Sequence, residues 1–293
     1  MAGNFASLWF APQHWWRVLV AVYAASDKAN LPLIAAGVAF FGVLAAIPGL
    51  AAVVTLVGLL GDPDWVGEQI KALRGVAPDA AMNAIHVQAM RLLQSSKASL
   101  LPSAVFNTLL ALWSALQGTR WTLLALAAVN QRTEERGFFR RYLAAALFTA
   151  YGVGLSVFAI LIIGVAPMML PAMSTTSEEV LLIVLRWLIL GGGAFAIAVV
   201  LYRWGPGTHA QPWRSVWPGA VLAPSIWVLA STGLSLILHE FPAFGAAYGS
   251  LASAVTLLLW LYLTAFVFLL GGALNAELEA LACTRNGGSA GGN

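Results

Sequence analysis

Six stretches of this chain contain no Asp, Glu, Lys or Arg: residues 29–61, 98–119, 142–177, 187–202, 215–239 and 241–276. Together they hold more than half of the 293 residues. A water-soluble surface draws on roughly 25% charged residues. Here 9% of the residues are charged and 60% are hydrophobic, too little charge to coat a soluble particle. Disorder, a collagen repeat and a disulfide scaffold fall away as well: the chain is too apolar, glycine has no triplet period, and Cys283 is the only cysteine. What remains is an all-α fold, a polytopic membrane helix bundle.

A helix needs about 20 apolar residues to cross a hydrocarbon layer of about 30 Å. The runs predict six transmembrane helices, at about 33–60, 100–118, 143–168, 180–202, 215–237 and 249–275. The fourth is completed backwards through Val180–Leu185 past Arg186, whose stem snorkels outwards. The runs are continuous rather than alternating, which argues against strands.

With the N-terminus in the cytoplasm, ten of the 15 Lys and Arg residues fall inside, including the cluster Arg132 to Arg141. The other five fall outside, four of them in one long, charge-balanced loop where the rule carries little weight. Six spans then place both termini in the cytoplasm. Trp15, Trp16, Trp121, Trp204, Trp213 and Trp217 lie at predicted inner edges, and Trp65 and Trp187 at outer edges, as interfacial aromatics do. Trp113, Trp227 and Trp260 lie within spans and are expected to pack helix against helix.

The chain divides into a cytoplasmic N-terminal segment 1–28 with an interfacial helix, a six-span bundle 29–279, and a flexible cytoplasmic tail 280–293, all one integral membrane domain. No cleavable signal pattern stands at the N-terminus. The loop 62–99 carries two amphipathic faces, Val66/Ile70/Leu73 and Met82/Ile85/Ala89/Leu92, and reads as an amphipathic outer loop.

The span interiors hold no Asp, Glu or Lys, which disfavours a carboxylate relay for protons or sodium at mid-membrane. The polar residues left there are neutral. Asn107 and Asn275 are the costliest to leave unpaired, so each is expected to have an interhelical partner. The first run is longer than one perpendicular helix needs, and Ile47-Pro48-Gly49 lies near its middle. Pro48 removes a helical hydrogen bond, so this span is either broken and lines a cleft, or is a long helix with a benign kink. Glu277, at the end of the last span, stands at the depth of Arg136, Arg140 and Arg203; a gate salt bridge and an ordinary interfacial ion pair are both open there.

Four ordered motifs carry a resemblance. They are Ala35-Ala36-Gly37-Val38-Ala39-Phe40-Phe41 with Ala46-Ile47-Pro48; Ala128-Val129-Asn130 leading to Glu135-Arg136-Gly137-Phe138; Leu201-Tyr202-Arg203 with Pro206, Trp217-Pro218-Gly219-Ala220 and Trp227; and Tyr248-Gly249-Ser250-Leu251, Trp260 and Gly272-Ala273-Leu274-Asn275-Ala276-Glu277. In order and spacing the chain resembles the YihY/BrkB family of inner-membrane proteins, once labelled ribonuclease BN, from about Lys28 to Glu279. The resemblance implies six helices in a bacterial inner membrane and a role in envelope integrity, serum resistance, or transport of lipids or small solutes. It adds Asn130, Arg136, Tyr202, Pro206 and Tyr248 to Pro48, Asn107, Asn275 and Glu277 as a candidate cleft or gate. The family often carries an acid where this chain has Leu274, so no role tied to that carboxylate is implied here.

The old label invites a test. The histidines His14, His86, His209 and His239 sit in four different segments, and no metal-ligand, paired-carboxylate or phosphate-loop spacing appears. No catalytic residue, metal or cofactor is expected, and a net charge of +3 does not suggest a nucleic-acid partner. The expected partners are membrane lipids and a lipid or small neutral solute, held in a cleft between the first span and the last two; the oligomeric state is open. A non-transporting envelope scaffold is the alternative, and it requires a dry bundle.

Overall fold

The computed structural model describes residues 12–60, 87, 100–131, 137–169, 176–207, 209–240 and 248–288. These form seven helices: α1 (Pro12–Lys28), α2 (Leu31–Leu60), α3 (Leu100–Val129), α4 (Phe138–Met169), α5 (Thr176–Trp204), α6 (Trp213–Glu240) and α7 (Ala252–Gly288). A 3-10 turn, Gly249–Leu251, leads into α7. Four helices contain stretches long and apolar enough to cross a membrane: Leu31–Ala51, Phe138–Ala159, Trp213–Glu240 and Ala252–Leu281. A shorter apolar stretch, Leu188–Trp204, lies in α5. Apart from Val87, the outer loop 62–99 lies outside the described residues, and with it both of the amphipathic faces expected there.

Each of α2 to α7 matches one charge-free run, but several extend further than the run does. α3 continues eleven residues past the predicted end at 118. Arg120 does not stop it, because backbone hydrogen bonding is indifferent to a side chain that finds partners elsewhere. Arg120 donates to Gln117 Oε1 at 2.6 Å and lies over the Tyr142 ring at 4.2 Å. α7 likewise continues to Gly288, so residues 280–288 are helical where a flexible tail is expected.

The turn that follows α1 closes at Asn30, whose φ of 51° puts it in the left-handed region that Asn tolerates after a helix terminus. Its N–H donates to Asp27 O at 2.9 Å, and α2 starts one residue later. Gln131 ends α3 in the same way, with φ 52°. α1 buries Val18, Val22 and Ser26 against α7 and α2 and turns Trp16, Leu19, Val20 and Tyr23 outward.

α2, α3, α4, α5, α6 and α7 follow one another around a closed ring, with α7 returning to pack on α2. α7 also reaches α3, α5 and α1, so it is the central post. The core gathers where α2 and α6 begin and α3 and α5 end: Leu31, Ala35, Leu126, Val129, Ala198, Tyr202, Val216, Ala220 and Ala273. Glycines stand at several of the closest crossings, Gly219 and Gly271 among them, because in lipid the close approach of backbones, rather than expulsion of water, holds helices together. Arg120, Arg140, Arg141, Arg203 and Arg214 mark this half of the bundle, called here the basic end. α4 packs chiefly on α3 and α5 and turns Phe139, Leu143, Leu147 and Phe158 outward.

The broken-span reading of α2 is corrected. The helix runs unbroken from Leu31 to Leu60 with Pro48 inside it. Pro48 is buried, and a Cβ on Gly49 would sit 3.7 Å from Ala111 of α3. Close packing on α3 holds the helix together across the one hydrogen bond that proline removes. α6 is unbroken in the same way through Pro218 and Pro224.

Candidate functional site

Two features stand out at the basic end, a polar seam and a pair of open hollows. The seam joins α6 to α7. Asn275 Oδ1 accepts from the Gly219 N–H at 2.7 Å, and its Nδ2 donates to Val216 O at 3.1 Å. A buried carboxamide has to satisfy both ends of its dipole, and here the first turns of α6 do so. The approach needs glycine: a Cβ on Gly219 would strike Gly271 O and the Asn275 side chain. Two turns back along α7, Tyr202 donates its hydroxyl proton to Phe268 O at 2.7 Å, tying α5 to the same helix. A Cβ on Gly271 would strike that hydroxyl. Further along the seam, Trp227 donates to Thr264 Oγ1 at 2.9 Å and Trp260 to Ser231 Oγ at 3.1 Å, so two of the three span tryptophans cross-link helices as expected. Trp113 meets Phe41 edge-on at 6.0 Å but remains half-exposed.

Beside the seam is a cavity of about 10 Å³, the size of one water molecule. Its wall includes Asn130, Tyr202, Pro206 and Asn275, so the fold brings four of the nine candidates together. Asn130 donates to Leu126 O at 2.8 Å. Gln211, Ser215 and Glu279 complete the polar part of the wall and are not singled out by the sequence. The first two lie in and just after a connection that carries no periodic signal. That connection is held by its own bonds: Gln211 N–H donates to Arg203 O at 2.7 Å and Arg203 Nη1 to Gln211 O at 3.3 Å.

The other candidates lie apart. Pro48 is in the body of α2, Tyr248 is exposed at the far end of α7, and Arg136 is outside the described residues. Asn107 is half-buried and has no hydrogen-bond partner among the described residues, against expectation. Glu277 forms no ion pair with Arg140 or Arg203. The Arg203 guanidinium instead stacks over Trp213 at 4.1 Å and Trp204 at 5.1 Å.

The open space is also not where it is expected. α7 packs closely on α2 and on α6; a Cβ on Gly42 of α2 would lie 3.3 Å from Leu261 of α7. The hollows lie instead between α4 and its neighbours. One, of about 540 Å³, is bounded by Arg140, Leu143, Leu147 and Tyr151 of α4 and by Val200 and Trp204 of α5. The other, of about 430 Å³, adds α2 (Val38, Phe41, Gly42) and α3 (Ser114, Gly118, Thr119). Phe148 and Tyr151 belong to both walls, so the two adjoin. Both open to the surface of the bundle. The α4 wall of the first hollow follows a single helical stripe with steps of three and four residues, and the second adds Thr149, Gly152, Val153 and Ser156 from the adjoining face of the helix.

Neutral hydroxyls punctuate the apolar lining. Thr149 donates to Thr119 Oγ1 at 2.8 Å, and Thr119 to Ala115 O at 3.0 Å. Ser114 is 0% exposed, and its Oγ has no partner among the described residues. The sequence signal for this wall is present but faint: Thr149 and Ser156 stand seven apart in the 142–177 run, on one face of the helix.

A family model described as virulence factor BrkB matches residues 22–290. This chain belongs to the BrkB family. Among its relatives is the ribonuclease-like protein YfkH of Bacillus subtilis (strain 168), 27% identical over 253 residues, covering 83% of this chain and 88% of YfkH. A UPF0761 membrane protein of Verminephrobacter eiseniae (strain EF01-2) is 31% identical over 97 residues, 33% of this chain and 22% of that one. A UPF0761 membrane protein of Stenotrophomonas maltophilia (strain K279a) is 35% identical over 86 residues, 29% of this chain and 20% of that one. No solved structure matches significantly. Family and fold together identify a helical membrane protein.

Proposed function

We propose that this BrkB-family protein is a six-span protein of the bacterial cytoplasmic membrane, with both termini in the cytoplasm, that accommodates a lipid or small amphipathic solute and moves it through the membrane without catalysing a reaction. The observation that carries this reading is the pair of adjoining hollows between α4, α5, α3 and α2, apolar with scattered hydroxyls and open at the bundle surface. Apart from Arg140 at the mouth of the larger one, a lining of that kind suits acyl chains and uncharged polar groups. The scaffold alternative requires a dry bundle, and these hollows count against it.

Gly152 provides the test. It lines the second hollow, and a Cβ there would meet nothing within 4 Å. Gly152→Leu therefore enters the hollow from a Cβ that meets no neighbour, and it adds helix propensity worth up to ~1 kcal/mol. In proteoliposomes, wild type is expected to speed transbilayer movement of a fluorescent phospholipid analogue over protein-free vesicles, and Gly152→Leu to lower that rate severalfold with the fold intact. A wild-type rate equal to that of empty vesicles overturns the transport reading.

A further inference from the structure

Among the described residues, the mouth of the larger hollow carries one charge. Arg140 is exposed, lines the opening, and has no ion-pair or hydrogen-bond partner among those residues. No Asp or Glu of the described residues lines either hollow. Phe138 and Phe139, 68% and 85% exposed, precede Arg140 in the first turn of α4, a place that suits interfacial aromatics. Below Arg140 the α4 wall is apolar as far as Tyr151, eleven residues further on, or about 16 Å at 1.5 Å per residue. That is the depth of one leaflet of a hydrocarbon core about 30 Å thick.

From this arrangement we infer that the α4–α5 hollow is a binding site for an anionic phospholipid of the bilayer, with its headgroup phosphate on the Arg140 guanidinium and an acyl chain lying between Leu143, Leu147, Tyr151 and Val200. The inference rests on the lipid reading above and specifies its ligand. A guanidinium offers a planar fork of donors that matches phosphate oxygens. With no carboxylate in the described lining, nothing there favours the ammonium of a zwitterionic headgroup. A free phosphate would leave the apolar wall unused, so the ligand is the lipid.

The experiment uses the full chain in nanodiscs of equimolar phosphatidylglycerol and phosphatidylethanolamine. The protein is then extracted in mild detergent and its retained lipid is measured by mass spectrometry. Wild type is expected to retain phosphatidylglycerol about fivefold over phosphatidylethanolamine, the factor that ~1 kcal/mol for one basic residue at an anionic surface converts to. Arg140→Gln abolishes the preference and keeps total retained lipid. Arg141→Gln, which removes a neighbouring exposed charge outside the lining, keeps the preference. Ala144→Phe narrows the hollow and lowers retention of both lipids. Equal retention by wild type, or a preference that survives Arg140→Gln or is lost equally with Arg141→Gln, overturns the headgroup assignment and leaves the hollow's lipid reading standing. Retention of neither lipid by wild type overturns both.

Discussion

Asn275 and Gly219 work as a pair, and the energetics of the α6–α7 seam turn on them. Replacing Asn275 with Leu removes two interhelical bonds, each worth on the order of 0.6–2 kcal/mol in a membrane setting. Asn275→Leu is expected to lose about 1–2 kcal/mol of stability, read as a lower Tm in detergent. Gly219→Ala is expected to lose ~1–3 kcal/mol, because the new methyl forces the helices apart at the Gly271 carbonyl. Gly192→Ala is the control: its Cβ meets nothing within 4 Å, and its Tm should hold or rise. The cost of burying a carboxamide identifies Asn275 from sequence alone, yet the same argument misplaces Asn107. Burial depth, which decides whether a polar group needs a protein partner, depends on the neighbouring helix and is absent from a one-dimensional pattern.

At the scale of elements, the charge-free runs locate every long helix described, because the bilayer imposes length and apolarity on a span. They place helix ends poorly. Arg120 ends a run but not a helix, since its charge is engaged by Gln117 and Tyr142. Pro48 misleads in the opposite direction: a residue that weakens an isolated helix is tolerated where α3 packs along it. Pro48→Ala restores a donor toward the Leu44 carbonyl, so helicity measured by circular dichroism should stay the same and Tm should stay the same or rise. A fall in helicity would show that the proline is needed to shape α2.

For the whole molecule, the topology turns on which side of the membrane the basic end faces. In a Cys283→Ser background the chain has no other cysteine, so single cysteines report position without ambiguity. His209→Cys, in the exposed α5–α6 connection, should react with an impermeant thiol reagent only from the cytoplasmic side. Tyr248→Cys, exposed at the opposite end of α7, should react only from outside. Labelling of both positions from one side would overturn the six-span topology. The site is legible in part. The motif residues of α3, α5 and α7 do converge, but on a water-sized cavity rather than a cleft. The hollows leave no mark on the sequence because a cavity is made by what neighbouring helices fail to fill, and no single run records that.

The glycine contact between α6 and α7 has a mechanical consequence. Backbones that touch at Gly219 and Gly271, and are pinned by a carboxamide, have no slack for sliding. These two helices therefore form a stationary pillar, and breathing of the molecule falls to α4, whose outward side packs on no other described helix.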